Sequence, residues 1–315
     1  MTVIRNGTVV SADTGPSPRP PFSWREWIRA LRPRQWTKNL LIFMAPAAGG
    51  VLGHWHSTLK VGATFLIFCA VASGNYLIND VMDASSDRLH PVKARRPIAL
   101  GSVKPSHAAA VGAVLIAAGT ALSGIVGSWP LTLVFASYTV VTAAYSLRLK
   151  REPVIELALV ASGFVLRAIA GGVAAHVPLS EWFLAFTSFA ALFVVVGKRS
   201  AEHARLGEDR GLHRNVLDQY TETFLRSTLT IAATVTVAAY FLWAFDRTGL
   251  LAQSSHHHVV WIELTTVPLV LAILHIFRLL DAGHGGEPER LALQDHTLQA
   301  YGLAWLALMA IGLYA

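Results

Sequence analysis

The sequence predicts an all-α integral membrane protein, a bundle of about nine transmembrane helices, and three observations predict it. Of 315 residues, 53% are hydrophobic and only 14% are charged, with a mean hydropathy of +0.47. A soluble domain needs about a quarter of its residues charged to clothe its surface, so lipid must be part of this chain's solvent. Uncharged runs recur that are long enough to cross a bilayer core, which takes about 20 residues of helix. The basic residues fall between those runs rather than on one face, which argues against the nucleic-acid partner that a net charge of +7 and a pI near 9.8 would otherwise suggest.

Residues 1–22 are polar, end in Pro16, Pro18, Pro20 and Pro21, and lack the apolar core and cleavage site of a secretory signal. They are expected to form a disordered cytosolic tail. Residues 23–315 are expected to form a single transmembrane domain, opened by an interfacial amphipathic segment over 23–37. Ser23 and Glu26 have the spacing of a capping box, and Trp24, Trp27, Ile28 and Leu31 make an apolar face opposite Arg25, Arg29 and Arg32. Pro33 ends that helix. Spans follow near 39–55, 60–80, 106–127, 130–147, 154–176, 181–197, 224–245, 259–278 and 296–315, the third and fourth divided by the turn-like Gly127, Ser128, Trp129 and Pro130. Cys69, the only cysteine, lies in an apolar run, which excludes a disulfide framework and a cysteine-based metal cluster.

A cytosolic N-terminus places all but three of the 26 basic residues on the cytosolic side, the exceptions being Lys60, Arg247 and, within a span, Arg167. That satisfies the positive-inside rule for an inner membrane. Segments 81–105, 148–153, 198–223 and 279–295 then share the cytosolic face with nearly all the acidic residues, so polar chemistry is expected there.

The segment Asn75 to Gly101, NYLINDVMDASSDRLHPVKARRPIALG, carries the strongest chemical signal. If the second span continues as a helix, Tyr76, Asp80, Asp83 and Asp87 fall at i, i+4, i+7 and i+11, flanked by Asn75 and Asn79. Three carboxylates on one face repel unless something neutralises them. Mg²⁺ fits, because it is held by one or two carboxylates together with substrate phosphates. Lys93, Arg95 and Arg96 stand beside them as anion partners. A solvated acidic helix end would instead scatter its carboxylates around the helix.

NDxxDxxxD after a second transmembrane helix, followed by RRP and Gly, resembles the first aspartate-rich motif of the UbiA superfamily of intramembrane prenyltransferases. The resemblance runs from about Trp24 to the end of the chain, and it implies a UbiA-like bundle with cytosolic cap loops. It also implies Asp80, Asp83, Asp87 and Asn79 as Mg²⁺ ligands. Most members transfer a prenyl group from a prenyl diphosphate and carry a second motif, DxxxD. Here the corresponding segment reads YSLRLKREPVIELALVASGFVLR: Tyr145, Ser146 and Lys150 match, but the acids are Glu152 and Glu156. Glu156 lies one turn into the helix opened by Pro153, whereas Glu152 stands in the loop.

RPRQWTKNL over Arg32 to Leu40, VVVGKRSAEH with Lys198, Arg199 and Glu202, and GEPERLALQDHTLQ over 286–299 resemble an actinobacterial branch of that superfamily. In that branch a polyprenyl (decaprenyl) phosphate is the acceptor and phosphoribosyl diphosphate the donor, and the product is a precursor of cell-wall arabinan. The resemblance thus implies a Mg²⁺-dependent phosphoribosyltransferase of the bacterial inner membrane, with a cytosolic active site. A homo-oligomer is compatible with it.

A donor with phosphate groups at both ends of a ribose needs metal ligands and several cations. Arg34, Lys38, Arg95, Arg96, Arg148, Lys150, Lys198 and Arg199 all fall at cytosolic span ends, where anchoring is each one's competing explanation. Lys38, which opens the first span, is the foremost candidate to act on substrate. Arg167 lies roughly 16 Å along its helix from Glu156 and must face the bundle interior, either toward a ligand or paired with a polar residue of another helix. His256, His257 and His258 read as a solvated loop. Gly171 and Gly172 read as close helix packing, and the Trp residues at 55, 129, 182, 243 and 261 as interface anchors. An aromatic prenyltransferase would favour a strict second DxxxD. A transporter would favour acids within the membrane and broken helices in paired halves.

Overall fold

The computed structural model describes residues 4–5, 8–9, 23–90, 92–206, 216–252, 259–282, 291 and 294–314. The histidine run at 256–258, most of the 1–22 tail and much of 286–299 lie outside the described residues. Near the N-terminus β1 (Ile4–Arg5) pairs antiparallel with β2 (Thr8–Val9). The other regular elements among the described residues are helices.

Helix α1 (Trp24–Leu31) ends where expected, because Arg32 takes a left-handed conformation (φ 55°, ψ 56°) ahead of Pro33. The capping box does not form. Ser23 makes no side-chain cap, and Glu26 instead accepts from Arg29 Nη1 at 2.7 Å. The packed face is Trp27, Ala30 and Leu31, set against Leu77, Ile98 and Val103, while Trp24 and Ile28 are exposed.

The expected first span, 39–55, is not an α-helix. Its place is taken by a 3-10 segment, Pro33–Phe43, followed by the short α2 (Met44–Ala48). A 3-10 helix has three residues per turn, so positions three apart share a face. Trp36, Asn39 and Ile42 turn inward: Trp36 Nε1 donates to Ser73 Oγ at 3.0 Å, and Asn39 and Ile42 are fully buried. Arg34, Thr37 and Leu40 form the exposed row.

Helix α3 (Trp55–Met82) runs into α4 (Ala84–Leu89) through Asp83, its C-cap. The short α5 (Pro97–Leu100) then leads to α6 (Pro105–Leu147), which is broken at Gly127 and Ser128, where the backbone leaves helical angles. That is the turn expected between spans 106–127 and 130–147. Helices α7 (Ile155–Ala174), α8 (Glu181–Leu206), α9 (Glu222–Ala252), α10 (Val259–Leu264), α11 (Thr266–Asp281) and α12 (His296–Tyr314) follow.

Seven of the described helices are long and apolar enough to cross a membrane, α6 counting once despite its break. Exposed Ile125, Leu66 and Leu274 would be anomalous in water and are ordinary against lipid. Helices α3 and α6 pack along each other, as do α8 and α9. At the first crossing Gly74 meets Gly112 so closely that a Cβ on Gly74 would lie 2.7 Å from the Gly112 carbonyl oxygen. Trp243 is buried among Phe183, Tyr240 and Met309 rather than anchored at an interface, whereas Trp55 and Trp129 are exposed.

Candidate active site

The end of α3, α4, the loop before α5 and the α6–α7 connection enclose a polar cavity of about 410 Å³. Its wall carries Asn75, Tyr76, Asn79, Asp83, Asp87, Lys93, Arg96, Tyr145 and Lys150 from the expected set. It also carries Arg32, Ser86, Thr142, Ser146, Arg151 and Val216. Because α3 stops at Met82, the three aspartates do not continue along one helical face. Asp83 and Asp87 line the cavity, and Asp80, 2% exposed, lies behind two guanidinium groups.

Each carboxylate is matched to a cation. Arg32 Nη2 donates to both oxygens of Asp80, at 2.6 and 2.8 Å. Arg96 Nη1 bridges Asp80 at 3.0 Å and Asp87 at 2.7 Å, and Lys150 Nζ donates to Asp83 at 2.6 Å. The Arg32 guanidinium also lies over the Tyr76 ring, 5.2 Å from its centroid. Among the described residues no three acidic or histidine side chains converge to hold a metal. The oxygen donors of Asp83, Asp87 and Asn79 nevertheless suit a hard cation, and it would enter by exchanging lysine and arginine partners for phosphate oxygens.

The second acidic pair divides between a buried and an exposed position. Glu156 is fully buried and accepts from Arg199 Nε at 2.8 Å and Nη2 at 3.0 Å, while Arg199 Nη1 donates to Glu202 at 2.9 Å. Glu152 is exposed. Nearby the Val154 amide donates to the Tyr220 hydroxyl at 2.9 Å, and burial, the largest influence, pushes the Tyr220 phenol above its ordinary pKa. Val154 itself has φ +65°, with Ile155 N donating to Pro153 O across it.

The remaining expected residues divide. Arg34, Arg95 and Arg148 are exposed and do not line the cavity, and Lys198 is half-buried away from its wall. Lys38 is half-buried, its ammonium 5.9 Å from the Phe164 ring centroid. Arg167 is 4% exposed and also off the cavity wall. Its Nε donates to Asn39 Oδ1 at 2.7 Å, its Nη2 to the Tyr138 hydroxyl at 3.0 Å, and its Nη1 to the Gly163 carbonyl. Of its two expected roles, the structure displays the pairing with polar residues of other helices. Arg32 is the cavity cation that helical periodicity conceals, because an α-helical wheel puts it on the solvent side of α1.

A second cavity, apolar and about 550 Å³, lies beside the first segment, between α2, α8, α9, α11 and α12. Its lining includes Leu40, Phe43, Met44, Trp243, Leu298 and Met309. It opens where Leu40 and Leu306 are exposed, on the lipid side of the bundle. Arg32, the N-cap of the 3-10 segment, borders the polar cavity, and Leu40 and Phe43 within the segment border the apolar one.

Seven membrane-length helices carrying one charged and one apolar cavity suit an enzyme that works on an amphiphile within the bilayer. The chain belongs to the UbiA prenyltransferase family, whose model matches residues 40–314, and it is an enzyme of the transferase class. It is 40% identical to a decaprenyl-phosphate phosphoribosyltransferase of Mycolicibacterium smegmatis, with 98% of this chain and 99% of the relative aligned. It is 42% identical to the protein of that name from Mycobacterium tuberculosis, over 89% of this chain and 91% of the relative. The fold is that of a UbiA homolog from Archaeoglobus fulgidus bound to DMAPP and Mg²⁺, with a TM-score of 0.65 over 91% of this chain and 97% of that one, at 18% identity.

Proposed function

We propose that the protein transfers the 5-phosphoribosyl group of phosphoribosyl diphosphate to a polyprenyl phosphate, decaprenyl phosphate in the relatives' names. The observation that carries this reading is the pairing of the cavities: a polar one with five cations, Arg32, Lys93, Arg96, Lys150 and Arg151, beside an apolar one open to lipid. The polar cavity takes the doubly phosphorylated donor and the groove takes the isoprenoid tail. Glu152 and Glu156 in place of a strict second DxxxD support this reading over an isoprenyl diphosphate donor. The polar cavity faces the cytosol and the bilayer is the bacterial inner membrane.

In the reaction the bond from ribose C1 to the diphosphate oxygen breaks and a bond from C1 to an oxygen of the lipid phosphate forms, releasing diphosphate. Asp83, Asp87 and Asn79 would hold Mg²⁺, which neutralises charge on the departing diphosphate. Arg96 leaves Asp87 and Lys150 leaves Asp83 for phosphate oxygens and, with Arg32, they hold the donor, so that positive charge developing at C1 forms beside fixed anions. Asp80 keeps the guanidiniums of Arg32 and Arg96 oriented. Lys38 meets the acceptor phosphate. A phosphate is already ionised at neutral pH, so no general base is required, and positioning with electrostatics carries the rate.

The test is incubation of purified protein with radiolabelled phosphoribosyl diphosphate, decaprenyl phosphate and Mg²⁺, scoring label in the organic phase. Label that vanishes with chelator and with Asp83→Ala is the expected result. Protein that yields no labelled lipid, yet consumes an isoprenyl diphosphate with an aromatic acceptor, would overturn the proposal.

A further inference from the structure

We infer that Arg167 is a positioning residue for the acceptor phosphate: through Asn39 it fixes the 3-10 segment that carries Lys38. The inference rests on the function proposed above and assigns a task to a buried charge that this function leaves unused.

Arg167 is a cation inside a membrane span, and among the described residues its hydrogen bonds go to neutral groups: Asn39, Tyr138 and the Gly163 carbonyl. Its charge is met by the faces of Phe68, Tyr138 and Phe164, at 5.2, 4.9 and 5.8 Å from the ring centroids. Such a charge is costly to bury, and a bare structural contact between apolar helices does not call for one. What the guanidinium supplies is a rigid fork that reaches several elements at once. It ties α7 to α6 through Tyr138 and to the 3-10 segment through Asn39, whose Nδ2 goes on to the Cys69 sulfur of α3 at 3.2 Å.

A 3-10 helix longer than three or four residues is uncommon because its hydrogen-bond geometry is poor, and this one has 11. Something outside the segment must hold its three-residue period. Asn39 is the middle residue of the inward row, between Trp36 and Ile42, and the backbone at Ile42 lies directly on Gly171, where a Cβ would come within 1.7 Å of the Ile42 carbonyl oxygen. Relaxing the segment to 3.6 residues per turn would rotate Lys38 away from its neighbours. Lys38 is next to Asn39 in sequence, and both Lys38 and Arg167 pack on Phe164. The brace therefore sets the depth and direction of Lys38, while the polar cavity is fixed by other contacts.

Binding to purified protein in detergent separates the two effects. The probes are inorganic diphosphate with Mg²⁺ for the polar cavity and decaprenyl phosphate in mixed micelles for the acceptor side. Arg167→Met and Asn39→Ala are each expected to weaken decaprenyl phosphate binding about tenfold while leaving diphosphate binding at the wild-type value. Arg167→Lys should behave like Arg167→Met, because an ammonium keeps the charge but cannot reproduce the fork. The double variant should be no weaker than either single one. Unchanged lipid affinity, a Lys variant that binds like wild type, additive losses, or equal weakening of both probes would each overturn the inference. Should Arg167→Met fail to fold, Asn39→Ala decides the question: it removes the Arg167–Asn39 bond while Arg167 keeps Tyr138 and the Gly163 carbonyl, and selective loss of lipid binding is again expected. Wild-type protein that takes neither probe would remove the proposed function itself, a result distinct from intact binding that the variants do not alter.

Discussion

Glu156 and Arg199 illustrate how far a single pair of side chains can redirect a site. Both are buried, and losing Glu156 leaves Arg199 with Glu202 as its remaining carboxylate, so Glu156→Ala should destabilise the fold by about 1–3 kcal/mol. A double Glu156→Leu, Arg199→Met variant should recover most of that loss. Thermal melts in detergent read both outcomes, and a single variant that melts like wild type would show that the pair has no structural role. Val154 offers the opposite sign. A β-branched residue at φ +65° is strained, so Val154→Gly should raise stability by about 1 kcal/mol, again read from the melting midpoint. The aspartate-rich segment was legible because its residue types and spacing are local. Arg32 was not legible, since its route to Asp80 depends on the left-handed turn before Pro33 and on a contact 48 positions away. The fate of Glu156 was hidden for the same reason: its partner lies on the next helix.

Among the elements, the long apolar helices follow directly from their uncharged runs, and the break in α6 falls at the Gly127–Ser128 turn that the sequence marks. The first segment did not, because hydropathy counts apolar residues but does not distinguish a period of three from one of 3.6 over so short a run. Trp36, Asn39 and Ile42 reveal the period only once their burial is known. Helix crossings are similarly invisible in one chain's sequence. The α3–α6 contact brings backbone against backbone at Gly74 and Gly112, so Gly74→Ala should cost about 1–3 kcal/mol by forcing the helices apart. The same substitution at Gly62, where a Cβ meets nothing, provides the control, and equal melting of the two variants would refute the crossing.

Among the described residues, the polar cavity gathers at the end of α3, and exposed apolar side chains cover the flanks of the long helices. Among the described spans helix α12 is the least buried, and its start is tied to α11 by His275 and Asp295 at 3.1 Å. The Leu298 amide first, and then His275, holds the Asp295 carboxyl below its ordinary range. A depressed carboxyl stabilises the fold fully above its free pKa of about 4, and the contribution fades as pH falls through the lower folded value. Trp305 fluorescence should therefore report loosening of α12 on the acid side, and Asp295→Asn should abolish that pH dependence. The groove beside α12 has a further consequence. An acceptor that enters sideways through Leu40 and Leu306 never passes through bulk water, so its availability is a mole fraction in the film rather than a molarity. Turnover should fall when inert lipid is added at constant total acceptor and recover when acceptor and inert lipid are raised in proportion. This is the surface dilution of a two-dimensional reaction.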